Sequence, residues 1–474
     1  MNKSKEKWPK YYNRMILQPN PNGDIGIICG WTKKEVIEEK LDENTKERVA
    51  AIGQLYSPEG INYIIRNLFL NPELKYLFVV GLNLSKSFDF FHDFLFRSVE
   101  GSVLHKEIPV HRIEEFRNWF AQHTYFVKDE KELSDFVKSL EKTEEGWTKN
   151  AEEFTDPEPV AVDTYPSEKI GFRVEDKKVA DAWLKVLDRL VRFGEKKKTQ
   201  YGDEERVLIG FTTIISEEDP EDFYLPDYLT FGKSELDNYF NQIMTDNIPD
   251  DLEYTYGSRL RNHGNVNQIE NIIEKLKEED CTRRAVGVLW NVEIDSNNPK
   301  PPCLNLIQAV VNDDKLYLTC YIRSNDMFGG WPQNAMAMLK VQEEIARAVG
   351  KKRGKLMIVS NDAHFYERDF GRVKEILKKN KPALECTQDP RGSFVIDIED
   401  NKIKVEQMTP CGQVIKKYYG KTAVEIEHQV YPHVSEILHA LDLGSELQKA
   451  EVALQLGIDF KQDNPLNFNK LNER

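Results

Sequence analysis

Pro301-Pro302-Cys303-Leu304 opens a run that continues to Val311, turns at Asn312-Asp313-Asp314 and returns from Lys315 to Ile322. Apolar and polar residues alternate along its arms, and the returning arm is rich in aromatics, so the run reads as a β-hairpin. The chain goes straight on into Arg323-Ser324-Asn325-Asp326-Met327-Phe328-Gly329-Gly330-Trp331-Pro332-Gln333-Asn334. Helical spacing of apolar residues follows from Asn334 to Val349, with Asn334 in the capping position and Gly350 as the stop. A strand from Lys355 to Ser360 then leads to Asp362-Ala363-His364-Phe365-Tyr366. Hairpin, helix and strand in this order predict a mixed α/β domain on a large, mostly antiparallel sheet.

Upstream of the hairpin, Val179 to Phe193 has Trp183, Leu187, Leu190 and Val191 on one helical face, and Val207 to Ile215 reads as a strand. Earlier still, Asp24–Trp31 and Tyr76–Leu82 read as buried strands flanking a helix at Glu59–Leu70, with further helices at Arg112–Ala121 and Glu130–Lys142. Strand, helix, strand suggests a Rossmann-like parallel α/β layer, closed by a charged, proline-containing linker at Glu152–Pro159. Downstream, Ser393–Ile398 and Lys402–Gln407 flank the turn Glu399-Asp400-Asn401, and Val434–Gly457 reads as two helices broken near Leu443-Gly444. Three segments are therefore expected: an N-terminal α/β domain over 1–165, a central domain over 166–385 and a C-terminal α+β module over 386–474.

At 474 residues and 40% hydrophobic content the chain is long enough for several packed cores. A net charge of −15 argues against a nucleic-acid polymer as partner, since phosphate neutralisation needs a basic surface. A single nucleotide can still be held by a local arginine cluster. The six cysteines, Cys29, Cys281, Cys303, Cys320, Cys386 and Cys411, form no CxxC pair, which points to a reducing compartment and no structural zinc. The lysine-rich start carries no apolar core of a secretory signal, and no apolar run approaches a membrane span. A cytoplasmic protein without a membrane partner is expected.

The ordered set Arg283-Arg284, Cys303, Arg323 to Asn334 and His364 resembles thymidylate synthase, and the spacings agree with that family. Arg284 to Cys303 is 303 − 284 = 19, Cys303 to Arg323 is 323 − 303 = 20, and Arg323 to His364 is 364 − 323 = 41 residues. The resemblance runs from about Val179 to about Phe370. It implies an α+β catalytic domain with a large mixed sheet, acting as a homodimer. The implied reaction methylates dUMP to dTMP with a reduced pterin, either 5,10-methylenetetrahydrofolate or methylenetetrahydromethanopterin. The first segment resembles, at Ala50-Ala51-Ile52-Gly53, Gly60 to Pro72 and Tyr76 to Gly81, the corrinoid-carrying A subunit of tetrahydromethanopterin S-methyltransferase. Those are scaffold positions, so a structural or docking role is expected there rather than a cobalt ligand from His92, His105, His111 or His123. The run His439-Ala440 to Lys449-Ala450-Glu451 looks like a module accompanying archaeal synthases of this type.

Methylating uracil at C5 needs a thiolate that adds to C6 and turns C5 into a nucleophile. The resemblance gives that role to Cys303, although a cysteine before a strand is ordinarily inert core, and nearby arginines are expected to lower its pKa. Arg323 and Ser324 match the family's own phosphate ligands, Arg283 and Arg284 match a pair supplied by the neighbouring subunit, and Lys198 aligns with the arginine of a phosphate loop. Asn334 matches the carboxamide that reads uracil, its competing role being a helix cap. His364 and Tyr366, two apart and so on one strand face, match the pair that binds the sugar hydroxyl. Tyr256 matches the tyrosine that organises removal of the C5 proton. Asp326 matches the carboxylate that anchors the pterin, with Gly330 leaving it room, Tyr366 beside it and Trp331 able to stack on it. Besides Lys198 for an arginine, the chain departs from the family in four places. Leu304 replaces a histidine, the tryptophan-rich folate-binding helix is shortened, the family's apolar C-terminal tail is not visible, and its catalytic glutamate has no counterpart unless Glu217, Glu218 or Glu221 substitutes. Two alternatives stay open: a dUMP hydroxymethylase, and a non-catalytic nucleotide-binding homologue.

Overall fold

A computed structural model describes residues 8–97, 103–141, 146–158, 162–200, 202–382 and 388–468. The boundary expected at 385/386, Cys386, Tyr201 and residues 469–474 lie outside them. The chain forms two compact units, 1–161 and 162–474.

The first unit alternates strand and helix: β1 Ile25–Cys29, α1 Lys34–Lys40, α2 Glu43–Lys46, β2 Val49–Gln54, α3 Gly60–Leu70, β3 Tyr76–Val80, α4 Ser87–Phe96, α5 Val110–His123, β4 Thr124–Phe126 and α6 Glu130–Ser139. All four strands pair in parallel, in the order β2-β1-β3-β4. β1 and β3 are buried along their whole length, as strands covered on both faces must be. Ile37, Leu41, Leu133 and Val137 pack on one face with Ile25 and Ile27; Ile61, Ile65, Phe91 and Phe116 pack on the other with Ile28 and Val79. This is the parallel layer the sequence predicts. The stretch read as a linker is partly core: Phe154 is buried and packs edge-on to Phe69.

The second unit opens with β5 Arg173–Asp176, α7 Val179–Phe193, β6 Glu195–Lys198, β7 Glu204–Ile215, α8 Lys233–Met244, α9 Tyr256–Arg261, α10 Gln268–Glu278, β8 Val286–Val288 and α11 Val292–Asp295. It continues through β9 Leu304–Asn312, β10 Lys315–Asp326, α12 Trp331–Ala348, β11 Lys352–Tyr366 and α13 Phe370–Lys379. The sheet order is β5-β7-β11-β10-β9-β8, with β6 beside β7. The predicted hairpin is β9 and β10, and its turn residues Asp313 and Asp314 have φ of 47° and 58°, the left-handed pair a tight hairpin needs. The sheet is mixed, because β10–β11 and β5–β7 pair in parallel. Parallel pairing follows from α12, which carries the chain back to the start of β11.

Alternation decides which face is covered. Ile307, Ala309, Leu318, Cys320, Ile358 and Phe211 are buried in a core shared with Trp183 and Leu187 of α7 and Met336 and Leu339 of α12. On the other face Leu306, Tyr321 and Val359 lie side by side in register and are only half-buried.

A smaller layer follows: β12 Ser393–Glu399, β13 Lys402–Met408, β14 Val414–Gly420, α14 Ala423–Val430 and α15 Ile437–Leu456. The three strands are antiparallel neighbours and share a core with Ile426 and Leu447. Two expectations are corrected. Val434–Gly457 holds one unbroken helix, α15, which passes through Leu443-Gly444 and ends at Gly457 in the left-handed conformation. α12 begins at Trp331, so Asn334 lies inside the helix and is not its cap.

Candidate active site

Cys303 immediately precedes β9, and Arg323 sits opposite it on β10, where its backbone N–H donates to the Cys303 carbonyl at 2.9 Å. The guanidinium of Arg323 folds back, donating from Nε to the Pro302 carbonyl at 3.1 Å and from Nη2 to Pro301 at 2.9 Å, and it approaches Cys303 Sγ at 3.8 Å. The Pro301-Pro302 turn is thus tied to the strand that carries the arginine, which fixes the position of the thiol. Burial pushes the Cys303 thiol up, and Arg323 pulls it down without overcoming that effect. The expected lowering of this pKa is therefore corrected: without a bound ligand, desolvation outweighs the single cation.

Three tyrosines surround the thiol. Burial raises the pKa of Tyr239, Tyr254 and Tyr256, and the Cys303 charge raises each further; that of Tyr254 reaches about 12. Each hydroxyl therefore stays protonated and is available as a donor. Tyr239, from α8, donates to the side-chain oxygen of Asn334. This bond fixes the carboxamide: its NH2 is left to donate, and its oxygen keeps a second lone pair. Tyr239, Tyr254, Tyr256, Gly330, Gln333, Asn334 and Lys300 line one cleft of about 440 Å³.

The ends of β10 and β11 build the adjoining part. Parallel pairing sets Ser324 beside Asp362 and Asp326 beside His364. Asp326 accepts from the backbone N–H of Phe328 at 3.0 Å and of Gly329 at 3.1 Å through one oxygen. A Cβ on Gly329 would come within 2.9 Å of the other oxygen, so the glycine keeps that oxygen approachable. His364 is buried, bonds Asp362 through Nδ1 at 2.8 Å and meets the Tyr366 ring edge-on at 5.3 Å. Burial opposes its charge, but Asp362 and Glu205 outweigh burial and raise its pKa. Glu205, Asp362 and His364 bring one ligand atom each within 4.8 Å of one another, with Lys197 already bound to Asp362 at 3.2 Å.

Not every expected residue joins this group. Trp331 is fully buried and donates from Nε1 to Thr213 at 3.2 Å, so the stacking role is corrected: it is core. Arg283 and Arg284 lie in the irregular run before β8 rather than on a strand, and both are exposed. Lys198 ends β6, exposed. The glutamates offered as substitutes are occupied elsewhere. Glu218 is fully buried and accepts from the N–H of Val179 at 2.8 Å, Glu217 pairs with Lys177, and Glu221 pairs with Arg347. Among the described residues the carboxylates lining the cleft are instead Asp251 and Glu253. Sequence reading missed these two, Tyr239, Gln333 and Lys300. Only Gln333, beside Asn334, and Tyr254, two residues before Tyr256, stood next to a residue the sequence singled out.

Residues 211–420 match the thymidylate synthase family, and residues 388–463 match a second family described as PterinBD-DUF4346. A protein provisionally named thymidylate synthase from Methanosarcina barkeri is 35% identical over 211 residues, spanning 44% of this chain and 96% of the relative. Provisionally named counterparts from Methanococcoides burtonii (33% over 210 residues) and Methanocaldococcus jannaschii (31% over 209 residues) align over 44% and 42% of this chain and 96% and 92% of their own lengths. Fold and site together define an α/β protein in which a cysteine paired with an arginine stands beside a tyrosine-lined cleft that holds a carboxamide. The chain belongs to the thymidylate synthase family. No helix among the described residues is long and apolar enough to cross a membrane.

Proposed function

We propose that the chain is a thymidylate synthase proper, converting dUMP and a methylene-tetrahydropterin to dTMP and dihydropterin. The observation that carries this reading is Cys303 Sγ held 3.8 Å from Arg323, next to the three tyrosines that, with Asn334, line the cleft. Cys303 attacks C6 of the base. The dUMP phosphate binds Arg323 and Ser324, drawing Arg323 from the proline carbonyls it now serves, and Lys198 closes from β6. Arg283 and Arg284 reach the phosphate of the partner subunit in a homodimer formed through the half-buried sheet face that carries Leu306, Tyr321 and Val359. Asn334 reads O4 and N3 of uracil, Tyr256 and the carboxylates Asp251 and Glu253 order the water that removes the C5 proton, and His364 with Tyr366 holds the sugar.

The donor is a reduced pterin, anchored by the approachable oxygen of Asp326 beside Gly329 and Gly330. The name of the second matched family, over residues 388–463, supports a pterin in the chain's chemistry. A second reading, hydroxymethylation of dUMP, is favoured by the charged cleft lining of Asp251, Glu253 and Lys300, which keeps water near the reacting carbon. Mass analysis of the product from dUMP with each methylene-pterin decides. A gain of one methyl group with dihydropterin formed supports the synthase. A hydroxymethyl product replaces it with the second reading, and no product with either pterin removes both.

A further inference from the structure

The first unit holds a cavity of about 480 Å³ that its fold does not require. It lies between the sheet and α3, and its floor is made by small residues on neighbouring strands. Gly26 of β1 pairs with Ala51 of β2, and Ile28 with Gly53, so Gly26, Ala51 and Gly53 present backbone where an α/β layer normally carries large branched side chains. A Cβ on Gly53 would meet only Ile16, at 3.7 Å, so the space above it is open.

The roof is a strap over Trp8–Ile16, pinned at both ends. At one end Asn67 of α3, itself buried, accepts from the N–H of Lys10 at 3.1 Å and of Tyr11 at 3.0 Å and donates to the Tyr11 carbonyl at 3.0 Å. At the other end Leu17 exchanges backbone bonds of 3.0 and 2.8 Å with Ile52. Between the pins Tyr12 has φ of 55°, a left-handed conformation unfavourable for a bulky residue. That backbone turns the Tyr12 ring onto Tyr63, centroids 4.9 Å apart and edge-on, with Tyr11 on Tyr63 at 5.7 Å.

Chemistry narrows the occupant. The rings of Trp8, Tyr11, Tyr12, Tyr56 and Tyr63 line the cavity over an aliphatic base. Its two charged lining residues are already engaged: Lys34 pairs with Glu35 at 2.9 Å, and Ser57 bonds the Glu59 carboxylate. The turn after β1 offers no phosphate cradle either, because the space beside Gly30 is taken by the Leu82 carbonyl and Phe88. A neutral, flat, aromatic ring system satisfies these conditions, and a nucleotide or other anion does not. We propose that the first unit binds an uncharged, planar, fused-ring aromatic molecule between the Gly26–Ala51–Gly53 floor and the Tyr12–Tyr63 wall. Its lining belongs wholly to the first unit.

The test is equilibrium dialysis of the full chain with lumichrome, a neutral three-ring probe, repeated with Gly53→Leu, which fills the floor, and with Tyr56→Ala. Tyr56 is 48% exposed at the rim, so its removal spares the core. Saturable binding of one probe per chain is expected, weakened by roughly tenfold or more in Gly53→Leu, where a side chain replaces ligand volume, and to a lesser degree in Tyr56→Ala. Addition of dUMP should leave it unchanged. Absence of saturable binding, equal binding by both variants, or displacement by dUMP would each overturn the proposal. If Gly53→Leu does not fold, Tyr56→Ala alone decides.

Discussion

Cys303 stands between two opposing influences, burial that favours the thiol and Arg323 that favours the thiolate. Removing the cation in Arg323→Ala should shift the pH profile of Cys303 alkylation upward, since the charged form loses its one stabiliser while desolvation stays. An unchanged profile in iodoacetamide kinetics would show that the arginine serves only the proline carbonyls. Cys303→Ser should abolish turnover and the covalent adduct with 5-fluoro-dUMP but leave nucleotide binding nearly intact, because a hydroxyl is a poor nucleophile at neutral pH. Mass spectrometry of the denatured protein checks it, and an adduct on the serine variant would move the nucleophile elsewhere. Asn334→Asp should shift preference from dUMP toward dCMP by about 1–3 kcal/mol, the cost of an unpaired buried polar group. Tyr239→Phe frees the amide from the bond that orients it. It should therefore blur the same discrimination while leaving the fluoro-nucleotide adduct intact. Steady-state constants for both nucleotides separate this from simple loss of stability, which would lower both alike.

At the scale of elements, Asp389 shows how one side chain fixes a helix. Its carboxylate accepts from Ser435 Oγ at 2.6 Å and from the N–H of Ser435 and Arg391 at 2.8 and 2.9 Å, and it bonds His439 in the first turn of α15 at 3.0 Å. Burial works against the charge, but the bonds from Ser435, Arg391 and His439 outweigh it and hold the carboxyl well below the usual carboxylate range. The resulting stabilisation is fully present above the ordinary carboxylate pKa of about 3.9 and fades as pH falls towards the folded value. Asp389→Asn should cost about 1–3 kcal/mol at neutral pH, and urea melts of the two proteins should converge on acidification. Parallel melts at every pH would contradict the assignment. This helix also shows where sequence reading stops. Leu443-Gly444 looked like a break, but a mid-helix glycine costs only about 1 kcal/mol, and packing of Leu443, Leu447 and Ala450 overrides it. Pro332 masked the start of α12 in the same way, although proline is tolerated in a helix's first turn. The hairpin and the helix Val179–Phe193 were legible because alternation and periodicity are local. Tyr239 was not, since it lies 303 − 239 = 64 residues from the thiol it faces and no local pattern records that distance.

At the scale of the whole molecule, the sheet of the second unit has one face packed against α7 and α12 and another left with Leu306, Tyr321 and Val359 half-buried. A row of large apolar side chains in register on an uncovered face is what a self-complementary interface needs. Arg283 and Arg284 point the same way: both are exposed, and the ion pair at Arg284 is a loose 3.7 Å contact with Glu279. Under the proposed function they complete the phosphate site of a second copy. Mixing tests this, because Cys303→Ser inactivates a chain's own site, whereas Arg283→Ala with Arg284→Ala inactivates the site of its neighbour. Random reassociation makes half of the dimers mixed, and in each of these one site regains both its thiol and its arginines. Mixed samples should therefore recover roughly a quarter of wild-type activity from two inactive parents. If the arginines instead serve the chain that carries them, no native site forms in any mixture and activity stays absent. Sedimentation of a stable monomer with full dUMP affinity would refute the shared site directly.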